Sequence, residues 1–214
     1  MTKTVTLIHC TPDAEKLIVK MARVSNPKNQ DNWDTGPKLL SYLIKHRHWS
    51  PFEMASMCLQ IETERDIAAQ ILRHRSFSFQ EYSQRYAKTT PAQYPHQRLQ
   101  DTKNRQNSLD TLDENIQGFW ANKSAALIEQ SYRLYEDLLA VGMAKETARR
   151  ILPLCTPTTM YMHGTLRSWL HYIQVRTDPG TQEEHRDIAL QCKQIFTNTF
   201  PVIAEAAFGE MRQV

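Results

Sequence analysis

The sequence predicts an α+β fold, in which long helices pack against a small, mostly antiparallel sheet in a single domain. Three observations carry that expectation. Six glycines and ten prolines in 214 residues are too few for a loop-dominated all-β chain. Apolar residues recur at helical spacing over several segments. Strand-like alternation is confined to a few short stretches. Hydrophobic residues at 41 % and charged residues at 23 % are ordinary for a globular protein and exclude global disorder.

In chain order, Thr4 to Ile8 alternate as a first strand. Pro12 opens a helix carrying Leu17, Ile18, Met21 and Ala22, and residues 25–36 form a polar loop. Pro37 suits the first turn of a second helix through Leu39, Leu40, Leu43 and Ile44. His46 to Pro51 break it, and residues 54–61 read as a strand. Thr63 with Asp66 forms a capping box for a helix through Ile67, Ala68, Ile71 and Leu72. Residues 91–113 are a long polar connection of the kind that is often functional. One long helix spans 115–141 and stops at Gly142; a shorter one spans 144–152 and ends at Pro153. Two further helical patterns cover 166–175 and 183–199. There is no internal repeat and no composition shift that would mark a domain boundary.

Net charge of +3 is too small for a nucleic-acid binder by bulk electrostatics, although local clusters can still hold a phosphate. Cys10, Cys58, Cys155 and Cys192 form no CxxC pair, which leaves no zinc spacing and favours reduced thiols in a cytoplasmic setting. No leader-like or membrane-spanning apolar run is present, so no membrane association is expected.

Residues 73–86, Arg-His-Arg-Ser-Phe-Ser-Phe-Gln-Glu-Tyr-Ser-Gln-Arg-Tyr, stand apart. Guanidinium groups grip phosphates bidentately, hydroxyls add neutral hydrogen bonds, and aromatic faces stack on a flat ring. Together they suit a nucleotide. Two other readings fit the residue types: arginines attracted to a helix C-terminus with aromatics on a strand's buried face, and a stacking platform for single-stranded nucleic acid.

Arg73-His74-Arg75, then seven residues and Ser83, resembles the signature of the flavin-dependent thymidylate synthases (the ThyX family). The resemblance continues in order along most of the chain: Ala22-Arg23-Val24-Ser25, His48-Trp49-Ser50-Pro51-Phe52-Glu53, Ala148-Arg149, Leu166-Arg167-Ser168 and Val175-Arg176. It implies a fold of long helices with a small sheet, assembled as a homotetramer with active sites shared between subunits. It also implies reductive methylation of dUMP to dTMP, with 5,10-methylenetetrahydrofolate as carbon donor and NADPH-reduced FAD as hydride source.

By that resemblance Arg73, His74 and Arg75 hold FAD together with Ser50, Glu53, Glu81, Thr165, Arg167 and His171, with Ser25 nearby. Gln70, Arg73, Glu81, Tyr82, Ser83, Gln84, Arg85, Arg149 and Arg176 cradle dUMP, and His48 belongs to the folate and NADPH side. Arg176 matches the arginine proposed to ionise the uracil ring at N3, which makes it the catalytic candidate. The family often has Asn where this chain has Thr165, Gln80 and His171; each retains hydrogen-bonding capacity.

The residue types suit such chemistry. A nucleoside monophosphate carries nearly two negative charges, which Arg85 and Arg149 can counter. A cation beside N3 lowers its pKa by about 1–3 units, and an arginine stays protonated while it does so. Cys155 follows an apolar run with no neighbouring histidine or lysine, so it reads as an inert thiol; the resemblance likewise implies a route without a cysteine nucleophile. His46 and His48 at i, i+2 do not converge on one helix face, and no metal is expected. His163 and His171 would share a helical face only if that helix began before Thr165. The aromatic stripe Phe119, Trp120, Tyr132 and Tyr135 reads as core or subunit interface.

Overall fold

A computed structural model describes residues 3–209. Its centre is a four-stranded sheet in the order β1-β2-β6-β3, antiparallel throughout. The strands are β1 (Thr4–Cys10), β2 (Ser56–Glu64), β3 (Ser78–Glu81) and β6 (Pro157–Thr165). The helices are α1 (Ala14–Ala22), α2 (Gly36–Lys45), α3 (Arg65–Ile71), α4 (Glu114–Ala140), α5 (Lys145–Ala148), α6 (Leu166–Arg176), α7 (Glu183–Thr199) and α8 (Pro201–Phe208). A two-stranded hairpin, β4 (Leu99–Gln100) with β5 (Ser108–Leu109), sits in the connection before α4.

The predicted class is the observed one, and the boundaries show where tertiary pairing overrode local signal. β6 was not foreseen, although Thr158 to Met162 is rich in β-formers. Its full-length pairing with β2, from Ser56↔Thr165 to Glu64↔Pro157, carries β2 past the expected end at Ile61. Thr63 is therefore buried within the strand, with its hydroxyl unpartnered, and the capping box does not form. Asp66 instead accepts from the amide of Ile67 at 2.8 Å, inside the first turn of α3. α8 was likewise missed, and residues 91–113 contain a hairpin.

The main core lies between the helices and one sheet face. Met57, Leu59, Ile61, Met160 and Met162 project from the sheet onto Leu40, Ile67, Trp169, Ile188 and Phe196. The Trp169 indole N–H donates to the carbonyl of Met57 at 2.9 Å, which satisfies a fully buried donor and pins α6 to β2. A second, smaller cluster joins Ile128, Tyr132 and Tyr135 of α4 to Ala148 of α5. α4 is capped by Asp113 and stopped at Gly142, whose φ of 86° favours glycine. No described helix is long and apolar enough to cross a membrane.

Phe77 makes the contact that decides the site. Its ring packs edge-on to Trp169 at 4.9 Å and lies directly over Gly164 of β6. A Cβ at Gly164 would sit 2.4 Å from that ring. The position must be glycine for the segment after α3 to lie down on β6. Gly164→Ala is expected to lower unfolding free energy by about 1–3 kcal/mol through overpacking, read from urea midpoints, and an unchanged midpoint would show that Phe77 can move freely.

Candidate active site

α3 and α6 leave opposite ends of the β2–β6 pair and run back along the sheet, so their C-terminal ends meet. At that meeting point the Nε–H of Arg176 donates to Nε2 of His74 at 2.8 Å. His74 stands edge-on to Tyr172, 4.9 Å away. Because Nε2 accepts from a guanidinium, His74 carries its proton on Nδ1, which is free to donate.

Next to it lies a cleft of ≈ 390 Å³ lined by Trp49, Glu53, Ser76, Arg167, Ser168, His171 and Gln174. Local sequence builds its walls. The last turn of α2 closes with Arg47 in the left-handed region (φ 57°), the amide of His48 donating to Leu43 and that of Arg47 to Ile44. That closure projects His46, His48 and Tyr42 as an exposed ring cluster beside Trp49. In the 3-10 turn Ser50–Glu53 the fully buried Phe52 anchors the chain, and Glu53 faces Arg167, with which it pairs. Thr165 caps α6 by accepting from the amide of Ser168 at 3.2 Å.

A second group lies at β3 and beyond. The Glu81 carboxylate accepts from Arg65 at 2.6 Å and from the Thr158 hydroxyl at 2.9 Å. Tyr82, Ser83 and Arg85 are exposed; Gln84 is buried with its amide nitrogen unpartnered. Arg85 pairs with Glu146 of α5 at 3.1 Å, three positions before Arg149, so α5 brings those two arginines into one neighbourhood. No carboxylate pairs with Arg73, Arg75, Arg149 or Arg176 among the described residues.

The structure thus gathers Glu53, His74, Arg167, His171 and Arg176 around one corner, with Gln70, Arg73 and Arg75 on the same turn. Glu81, Tyr82, Ser83, Gln84, Arg85 and Arg149 form the other group. Ser25 is exposed in the loop after α1, and no hydrogen bond connects it or Ser50 to the cleft. The aromatic half of the stacking idea is corrected: Phe77 and Phe79 belong to the hydrophobic core, and only Tyr82 and Tyr86 are exposed. His163 lies on β6 and not on a helix with His171. Cys155 is half-buried in the small cluster, where burial pushes its thiol up, against any role as a ready nucleophile. The sequence reading missed Trp49, Ser76, Ser168 and Gln174 as cleft residues. Gln174 could have been found, since Arg167, His171 and Gln174 recur at helical spacing.

Comparison with known proteins places the chain within one family. The family profile described as thymidylate synthase complementing protein matches residues 6–202. A probable flavin-dependent thymidylate synthase of Paramecium bursaria Chlorella virus 1 is 58 % identical over 194 residues, covering 90 % of each chain. A flavin-dependent thymidylate synthase of Synechocystis is 54 % identical over 192 residues, covering 90 % of this chain and 88 % of that one. Among solved structures, the UMP/dUMP methylase PolB of Streptomyces cacaoi bound with 5-Br dUMP superposes with a TM-score of 0.86 at 27 % identity, over 99 % of this chain and 97 % of that one.

Burial, then the charges of Arg176 and His171, holds His74 down to about 4; burial, then Arg176 and His74, holds the fully buried His185 of α7 down to about 3. Unfolded, both would take up protons near pH 6.5. The stability they permit is therefore present above about pH 6.5 and is lost as pH falls toward 4 and then 3. His185→Leu removes one of these groups, so its melting temperature is expected to fall less between pH 7 and 4 than that of the parent protein. Parallel curves would contradict the depressed value.

Proposed function

The chain belongs to the family of flavin-dependent thymidylate synthases, and from that premise we propose that it converts dUMP to dTMP, consuming 5,10-methylenetetrahydrofolate and NADPH and releasing tetrahydrofolate and NADP. The observation that carries this reading is a set of arginines with no carboxylate partner among the described residues at the junction of α3 and α6, beside a cleft of ≈ 390 Å³. We read residues 1–214 as one catalytic unit.

The donor set fits FAD. Arg73 and Arg75 offer uncompensated guanidinium groups to a diphosphate; His74 offers an Nδ1–H; Glu53, Arg167 and His171 line the cleft. Ser50 and Thr165 stand at the adjoining turns, and Ser25 at the loop beyond. When bound, the flavin supplies the hydride that the reduction consumes. To His48, exposed with Tyr42 and His46 beside Trp49, we assign the folate or nicotinamide co-substrate, whose flat ring such a cluster suits.

Toward the nucleotide, the residues divide by task. Arg85 and Arg149 counter the phosphate, Ser83 and the unpartnered Gln84 amide supply neutral donors, and Tyr82 offers a ring face. Arg176, held by His74, sets a permanent positive charge against the pyrimidine and favours loss of the N3 proton. Gln70, Arg73 and Glu81 complete the cradle. The mechanism needs no thiol.

The two arginine groups stand on separate parts of the chain, which supports a site closed by a second copy. α4 offers the surface for it. Trp120, Leu127, Leu134 and Val141 recur every seven residues and are all more than half or half exposed (53, 68, 50 and 72 %). With Ile116 and Phe119 they form a row of exposed apolar residues along α4 and its C-cap, separated by polar positions such as Lys123 and Gln130, a surface suited to another helix in a homotetramer.

Two measurements test this. Purified protein is expected to show a flavin band near about 450 nm that bleaches with NADPH and dUMP. Arg176→Ala is expected to keep the band while losing about 2–5 kcal/mol of transition-state stabilisation; undiminished turnover removes Arg176 from the chemistry. Separately, Arg85→Ala and Arg176→Ala proteins, each inactive alone, are expected to regain turnover when dissociated and reassembled together. Persistent inactivity of the mixture contradicts a site shared between subunits.

A further inference from the structure

We propose that His185 is a positioning residue, which fixes the orientation of the Gln70 amide and so determines that an N–H, and not a carbonyl oxygen, faces the pyrimidine nucleotide. The proposal rests on the reading above that Gln70 borders that nucleotide.

His185 occupies the apolar face of α7, in line with Ile188, Ala189, Cys192 and Phe196. Its exposure is 0 %. A buried imidazole in such a row costs stability unless both ring nitrogens find partners. Both do. Nε2 lies 3.2 Å from the Tyr172 hydroxyl of α6, and Nδ1 lies 3.4 Å from Oε1 of Gln70 on α3.

The direction of each bond follows from the ends of the chain of contacts. Tyr172 is fully buried, and His185 is the sole hydrogen-bond partner of its hydroxyl among the described residues. A buried O–H must donate, so Tyr172 donates to Nε2. Neutral His185 then carries its proton on Nδ1, and that N–H can only be answered by the Gln70 oxygen. With Oε1 spent inward, the Gln70 Nε2 donates one hydrogen to Oε1 of Gln182 at 2.7 Å. Its second hydrogen has no acceptor among the described residues, one turn of chain ahead of Arg73 and His74.

Uracil carbonyls and phosphate oxygens are acceptors, so an uncommitted N–H at this place attracts them. The same amide turned over would present an oxygen and repel them. Tyr172, His185 and Gln70 thus join three helices in a relay that sets the polarity of one group at the site. Tyr172 and His185 lie fully buried behind the His74 ring, which abuts both, and Gln70 forms the half-buried outer end of the relay.

Two readouts on the flavin-loaded protein test it. Nitrogen-15 labelling of histidine, without nucleotide, is expected to show His185 as the Nδ1–H tautomer; an Nε2–H or doubly protonated ring at pH 7 overturns the relay. Calorimetric titration with dUMP then separates positioning from structure. His185→Leu is expected to weaken dUMP about tenfold, about 1.4 kcal/mol, while His185→Asn, which keeps a donor toward Gln70, stays within about threefold. In a Gln70→Ala background the Leu substitution is expected to add less than about twofold, because its target is gone. An equal loss in both backgrounds would mean that His185 merely holds the fold, and the proposal fails. If the parent protein does not bind dUMP, the nucleotide reading fails, and the tautomer spectrum still decides the relay.

Discussion

Pairing of β2 with β6 over nine residues is the constraint from which the site follows. An antiparallel pair of that length is about 27 Å long at about 3.4 Å per residue. α3, with seven residues, and α6, with eleven, are about 10 and 16 Å long. Leaving opposite ends of the pair and folding back along it, they nearly use up its length and meet end to end. Neither helix has a sequence signal for that meeting; the strand length sets it. The ends that meet are both C-terminal and carry partial negative charge, which stabilises cations and offers no amide cradle to anions. Arginines can collect there without carboxylate partners, and an anion at this corner must be held by side chains alone.

Those electrostatics also divide the labour of the two groups in contact. Burial and the neighbouring Arg176 guanidinium keep His74 neutral. A neutral imidazole that accepts from a guanidinium leaves the guanidinium charge intact. It also keeps Nδ1–H pointing elsewhere as a donor. Had an aspartate stood at His74, it would have neutralised Arg176 and raised the cost of ionising a pyrimidine beside it.

How much of this could be read from the sequence depended on the range of the signal. Helices with strong apolar periodicity, and the stop at Gly142 after α4, were visible because periodicity and such stops are local, whereas the Asp113 cap was seen only in the structure. β6 was not, because its role is to pair with β2 nearly a hundred residues earlier, and the capping box at Thr63 gave way to that pairing. The Arg73–Tyr86 segment was legible in its chemistry and ambiguous in its geometry. Its arginines are exposed as a binding surface requires, while Phe77 and Phe79 serve the core, because Gly164 opens just enough room for Phe77. His185 gave no sequence signal as a site residue. A lone histidine in an apolar row declares itself only when Tyr172 and Gln70 are seen on either side.

The division of the arginines is the last consequence of the same geometry. Edge strand β3 carries Glu81 away from the α3–α6 corner, and the chain then passes to Arg85, which Glu146 fastens to α5. α5 belongs to the small cluster with α4, packed largely apart from the main core. On the proposed reading, the Arg85 and Arg149 pair is mounted on that satellite and the His74 and Arg176 pair on the main core. The exposed apolar residues spaced by seven along α4 are the surface by which, on that reading, the satellite of one copy would seat against the corner of another. Catalysis would then depend on assembly, since each chain folds around its own core while its two groups of arginines stand on different clusters.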